Sequence, residues 1–221
     1  MNFEGVSLAR AAPPQVPARW TLDTALKQLD ASAGNFRSLS ADLERTKVTV
    51  VVNDKSTESG QIIVRRDDKM RIEMTKPDPR TILRSGNSLF IYNPKINQVD
   101  EYDLKKYKTM VDQYLLLGFG TPGSSLKKNY QVTLQGEELL DNRKVLAFQL
   151  IPKSEEARNQ ISKITMWMDE SNWLPVQQNF FESDGDYFII HYSNIVRNPK
   201  LSDNDFKPRW PKGVVKSKPR A

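Results

Sequence analysis

Two periodicities alternate along this chain. From Thr21 to about Asn35, apolar residues recur at helical spacing, with Leu22, Ala25, Leu26, Leu29 and Ala33 on one stripe and Thr21 placed to cap the first turn. The period then drops to two. Leu39, Ala41 and Leu43 alternate with polar residues, Val48 to Val52 follow, and Asn53 to Gly60 reads as a turn-rich segment. The returning strand carries Ile62 and Val64. Met70, Ile72 and Met74 then alternate with Arg71, Glu73 and Thr75, the pattern of a strand with one buried face, which Pro77 and Pro79 end. Further strands fit Arg80 to Arg84, Ser88 to Asn93 and Gln98 to Tyr102, joined by short turns rich in Gly, Asn and Pro.

A second helical pattern interrupts the strands. Asp103 can cap a helix whose apolar face is Leu104, Tyr107, Val111, Tyr114 and Leu115, with Gly118 as its stop. Strands resume near Tyr130 to Leu139, Lys144 to Pro152, Ile161 to Asp169, Leu174 to Ser183 and Asp186 to Val196. The pattern predicts a mainly β (α+β) fold: a strongly curved antiparallel sheet of about eleven strands, an open half-barrel closed by an N-terminal helix and a helical lid insertion.

Composition narrows the function classes. The 221 residues suit a single domain, expected over 21–206, with 1–20 as a flexible leader and 207–221 as a basic C-terminal tail. The leader has three prolines and no hydrophobic block of a secretory signal, so an export signal is expected to have been removed or to precede the given start. No apolar run reaches the roughly 20 residues of a membrane-spanning helix. With no cysteine there are no disulfides, thiolate metal sites or cysteine nucleophiles. The net charge of +6 resides in the tail, where Lys207, Arg209, Lys212, Lys216, Lys218 and Arg220 occur without an acid. The balanced body lacks the sustained basic surface that tracks phosphates, so no nucleic acid is expected as a partner; the tail reads as a solvated end or as a contact for anionic lipid or a partner.

Residues 59–76 (SGQIIVRRDDKMRIEMTK), Ser85-Gly86-Asn87-Ser88-Leu89-Phe90-Ile91-Tyr92-Asn93-Pro94, and the closing Phe206-Lys207-Pro208 and Pro211-Lys212-Gly213-Val214 carry a family likeness. Together with the order helix, strands, helical insertion, strands, they resemble the periplasmic outer-membrane lipoprotein carrier family (LolA-like), over roughly residues 21–215. The resemblance implies a periplasmic carrier or chaperone that binds the acyl chains of lipoproteins, or a related lipid, in a hydrophobic cavity and delivers them towards the outer membrane. It implies inner-membrane release machinery and an outer-membrane acceptor as partners, transient contact with a membrane surface, and a monomer without cofactor. A lipid- or lipoprotein-sensing module of the same fold is the second reading. In the carriers an arginine on an early strand holds the lid; by motif position this is Arg66, although Asp67 follows it where the family usually has proline.

On this reading Ile62, Val64, Met70, Ile72, Met74, Leu89 and Ile91 line the cavity, Leu104, Tyr107, Val111, Tyr114 and Leu115 form the lid, and Arg66 is the latch. Strand parity independently puts Ile62, Val64 and Arg66 on one face and turns Arg65 outward. Composition alone would have the same apolar residues fill a closed core; the resemblance makes them a lining, for which methionine suits cargo of varying shape. Met166 and Met168 fit either face. Burying an acyl chain of about 14 methylenes at ~0.8 kcal/mol each gives on the order of 11 kcal/mol, too tight for ready release unless cargo must displace lid side chains. No catalytic constellation is expected: His191 is the only histidine and reads as a strand residue, no G-x-S-x-G elbow occurs, and no GxxxxGK[ST] nucleotide loop is present.

Overall fold

The computed structural model describes residues 19–104 and 117–219. Helix α1 (Leu22–Asn35) starts at a capping box, in which the Thr21 hydroxyl accepts from the Thr24 N–H (3.2 Å) and the Thr24 hydroxyl accepts from the Thr21 N–H (2.9 Å). It buries Ala25, Leu26, Leu29 and Ala33, the predicted stripe. Six strands follow as a meander: β1 (Ser38–Thr49), β2 (Asp54–Arg65), β3 (Lys69–Lys76), β4 (Arg80–Ser85), β5 (Ser88–Asn93) and β6 (Gln98–Asp103). Helix α2 (Gly123–Asn129) leads into β7 (Tyr130–Leu140), β8 (Arg143–Pro152), the single turn α3 (Glu155–Arg158), β9 (Ile161–Asp169), β10 (Pro175–Glu182) and β11 (Tyr187–Arg197). A 3-10 turn (Asp203–Phe206) and β12 (Val215–Ser217) complete the described chain.

All twelve strands form one sheet in the order β12-β6-β5-β4-β3-β2-β1-β11-β10-β9-β8-β7. Two antiparallel meanders are thus welded where the first strand pairs with the eleventh, from Leu39↔Arg197 to Val48↔Tyr187. Strands β7 and β12 are the free edges, so the sheet curls without closing. Register shifts interrupt several ladders, among them one between β1 and β11 and one beside Gly60, and such bulges add local bend and twist. At Gly60 an added Cβ would lie 2.1 Å from the Glu73 carbonyl oxygen, so the backbones approach where only glycine fits.

Two boundaries differ from the sequence pattern. The β1–β2 ladder runs unbroken from Ser38↔Arg65 to Thr49↔Asp54, so Val50, Val51 and Val52 form the exposed reversal and residues 54–60, read as a turn, are strand. Register decides this: once Leu39, Ala41 and Leu43 pair with Val64, Ile62 and Gly60, the polar partners further along are carried into the ladder. Among the described residues the count is twelve strands, because β12 comes from the basic tail and runs parallel to β6 (Val215↔Gln98). That segment straps the convex face. Buried Arg71 donates from Nε to the Asp205 carbonyl (2.7 Å) and from Nη2 to the Lys207 carbonyl, Phe206 is buried, and Trp210 packs on Tyr92 with ring centroids 5.2 Å apart.

Candidate functional site

Register assigns the concave face. Leu39, Ala41 and Leu43 stand opposite Val64, Ile62 and Gly60, which face Met70, Ile72 and Met74, which face Arg84, Ile82 and Arg80. Directly paired residues share a face, so Leu89 and Ile91, opposite Arg84 and Ile82, continue it. Ile62, Val64, Met70, Ile72 and Met74 belong to one buried apolar cluster with Phe36, Phe119 and Tyr192; Leu89 and Ile91 lie further along, half-buried. A second cluster lies beneath α1, and Met166 and Met168 are both fully buried in it. Trp167 between them turns outward and donates to Glu138 (2.8 Å).

A cap closes part of this face. Residues 117–122 turn tightly, with Gly118 (φ 81°) and Gly120 (φ 68°) in conformations that L side chains rarely adopt. The turn leads into α2, which packs so close to α1 that a Cβ on Gly123 would lie 2.3 Å from the Leu26 carbonyl oxygen. Asp30 of α1 accepts from both the N–H and the hydroxyl of Ser124 (3.1 and 2.9 Å). The sheet holds the turn from below: Gln178, 1% exposed, donates to the Leu117 carbonyl (2.9 Å) and accepts from the Tyr192 hydroxyl (2.9 Å), while Phe119 meets the Tyr192 ring edge-on. Burial without a charged partner pushes the Tyr192 phenol well above its ordinary range, so it stays a donor. Beside this cap opens a cleft of about 340 Å³ lined by Phe36, Val64, Arg66, Leu117, Phe119 and Leu126.

Of the expected lid, Leu104 is buried, whereas Tyr107, Val111, Tyr114 and Leu115 lie outside the described residues. Arg66 sits just past the end of β2, exposed, and its Nη1 reaches the Gly34 carbonyl of α1 at 3.4 Å. Asp67 pairs with Arg65 instead (2.7 and 2.8 Å), and that hydrogen-bonded guanidinium holds its carboxyl down at about 2. The sequence pattern did not single out Arg197, which fixes α1 from the sheet by donating to the Ser32 hydroxyl (3.0 Å), the Ser32 carbonyl (2.7 Å) and the Asn172 carbonyl (2.6 Å). Nor did it single out Gln178, although a signal exists: Gln178 is a polar residue at the parity of Val176 and Phe180, both buried. Arg84, fully buried between Met70 and Leu89, pairs with Asp68 at 3.4 Å.

Other chemistry lies elsewhere. His191 is on the convex face with Nε2 2.6 Å from Asp141. Among the described residues, Glu182, Asp184 and Asp186 bring three carboxylates within 4.8 Å of one another, but the Lys47 ammonium already pairs with Glu182 (3.0 Å) and Asp186 (3.8 Å), and Asp186 also accepts from the Val50 N–H. The arrangement as a whole can shelter an apolar ligand against a capped, methionine-bearing concavity.

Comparison with known proteins points the same way. The family model described as "Outer membrane lipoprotein carrier protein LolA" matches residues 34–209. An outer-membrane lipoprotein carrier protein of Methylococcus capsulatus is 26% identical over 178 residues, 80% of this chain and 82% of that protein. One from Chromobacterium violaceum is 28% identical over 214 residues, 97% and 94% of the two chains. Among solved structures, an uncharacterized conserved protein from Thermus thermophilus superposes with a TM-score of 0.58 at 11% identity, over 89% of this chain and 98% of that one, and shows the same fold.

Proposed function

The chain belongs to the outer-membrane lipoprotein carrier family, and from that premise we propose that it is a periplasmic, non-enzymatic carrier that takes the acyl chains of lipoproteins, or a related lipid, onto its concave face and delivers them towards the outer membrane. The observation that carries the reading is the buried row Ile62, Val64, Met70, Ile72 and Met74 continued by half-buried Leu89 and Ile91. Its outer strands are less deeply buried than its centre, as a surface that receives cargo requires, and its two methionines, Met70 and Met74, adapt to chains of different shape.

Release sets the energetic problem. A long acyl chain buried in full gains on the order of 11 kcal/mol, at ~0.8 kcal/mol per methylene. Side chains that occupy the empty face offset this, because cargo then exchanges one apolar filling for another. In this reading Leu104 and the residues Tyr107, Val111, Tyr114 and Leu115 provide that filling, and Arg66 restrains the cap. The delivery partners are an inner-membrane release complex that supplies the energy and an outer-membrane acceptor.

The test is a donor-to-acceptor assay in which lipoprotein-bearing vesicles are mixed with the carrier and then with acceptor vesicles. Loading and transfer are expected. Arg66→Leu is expected to leave the thermal midpoint within about 2 °C, as for a surface substitution, and to change the release rate severalfold. Retention of a lipid signal without transfer would turn the reading towards a sensor, and equal release by Arg66→Leu and wild type would remove Arg66 from it.

A further inference from the structure

The concave face is not apolar throughout. One pair beyond Leu43↔Gly60 on the same side of the β1–β2 ladder stands Arg45↔Glu58, and Arg80 lies opposite Met74 on β4. Arg80 grips Glu58 with two parallel bonds (Nη1 to Oε1 2.9 Å, Nη2 to Oε2 2.5 Å), and Arg45 Nη1 approaches the same carboxylate at 3.5 Å. Arg45 also lies over the Phe188 ring, 4.8 Å from its centroid, and Phe188 stacks on buried Phe180. Two guanidiniums therefore converge on one carboxylate at the edge of the methionine-bearing floor.

The triad has a net charge of +1, and of the ten N–H donors that two guanidiniums carry, three point at Glu58. The Glu58 side chain is 19% exposed, whereas Arg45 and Arg80 are 31% and 30% exposed, so the acid is the more covered member and both arginines stay partly open to solvent. Charge-assisted, forked donors of this kind match a phosphate or carboxylate. Successive same-face residues on a strand are about 6.8 Å apart, so a group held here is one such step from Leu43 and the Met74 floor.

We propose that Arg45, Glu58 and Arg80 form a headgroup site for an anionic lipid, with its phosphate or carboxylate on the two guanidiniums and an acyl chain on the floor of Leu43, Met74 and Ile72. Glu58 serves as an internal anion that occupies the arginines when no lipid is present, and the headgroup displaces it. The inference rests on the carrier reading for the place of the chain and adds a ligand class to it.

Isothermal titration with the full chain separates the two. Three probes of equal chain length are used as monomers: lauroyl-lysophosphatidylglycerol, laurate and monolauroylglycerol. At least one anionic probe is expected to bind about tenfold tighter than the neutral one; preference for the first or second assigns a phosphate or a carboxylate. Arg45→Gln with Arg80→Gln is expected to abolish that preference while leaving the neutral probe's affinity unchanged. Glu58→Gln acts in the opposite direction, which a misfolded variant would not do: the anionic probe is expected to bind at least threefold tighter once the competing carboxylate is neutral. Equal affinity of wild type for all three probes, or unchanged or weaker anionic binding by Glu58→Gln, overturns the headgroup site while leaving the carrier reading intact. Binding of none of the three overturns both.

Discussion

Gln178→Leu is the substitution whose cost can be worked most directly from the geometry. The side chain is 1% exposed and makes two bonds to oxygen atoms, donating to the Leu117 carbonyl and accepting from the Tyr192 hydroxyl, each at 2.9 Å, besides a weaker donation to the Met166 sulfur at 3.8 Å. Leucine fills about the same volume and makes neither. Two polar groups in a dry setting then lose their partner, at about 1 to 3 kcal/mol each, while the added apolar contact returns about 1 kcal/mol. The expected net loss is about 3 kcal/mol, a fall of roughly 6 to 12 °C in Tm for a domain of this size. Tyr192→Phe leaves only the Gln178 oxygen without its donor and should cost about 1 to 2 kcal/mol. In the double variant the tyrosine hydroxyl no longer exists to be orphaned, so the two losses should fall short of their sum by about 1 kcal/mol or more. Urea unfolding followed by tryptophan fluorescence measures all four states. A Gln178→Leu loss below about 0.5 kcal/mol, or strict additivity, would refute the idea that this pair holds the 117–122 turn to the sheet. The pH dependence offers a second check: burial raises the Tyr192 pKa in the folded state, so its contribution is complete below the ordinary value of 10.0 and declines as pH rises past it. Tyr192→Phe should flatten that alkaline decline by about 1.4 kcal/mol per pH unit.

Two further predictions concern the cap and the strap. Gly123→Ala places a methyl 2.3 Å from the Leu26 carbonyl oxygen and must push α2 away from α1, at about 1 to 3 kcal/mol, read as a lower Tm; an unshifted midpoint would mean the helices separate freely. Asp203, on the strap, is held at about 2 against an ordinary 3.8, first by its hydrogen bond from Lys69 (2.8 Å) and then by Arg65. A depressed carboxyl contributes above its ordinary pKa and loses that contribution as pH falls towards 2, so strap anchoring should weaken between about pH 4 and pH 2. In an NMR titration of the side-chain carboxyl, Lys69→Met should raise the Asp203 midpoint towards 3.8, and an unmoved midpoint would assign the depression elsewhere.

What was legible in the chain follows from period. The stripe Ala25, Leu26, Leu29 and Ala33 and the alternation Met70, Ile72, Met74 each reflect one element with one buried face, so the N-terminal helix, the meander and the inward-facing residues could be read without tertiary information. The same rule marked Gln178 as an anomaly without saying what it bonds, because its partners Leu117 and Tyr192 lie 61 and 14 residues away.

Tertiary structure decided the rest, and the reason is long-range pairing. The polar residues 54–60 became strand because β1 imposed its register on them, and the valines at 50–52 became a turn for the same reason. The basic tail became a strap and a twelfth strand because Arg71, on the convex parity of β3, reaches the carbonyls of Asp205 and Lys207, 134 and 136 residues away, and β6 pairs with β12, contacts that local sequence does not show. The restraint on α1 likewise involves Arg197, 165 residues from Ser32 in sequence, besides the exposed contact of Arg66. Local sequence determined which residues face inward; only the curl of the sheet, which joins β1 to β11, determined which of them meet.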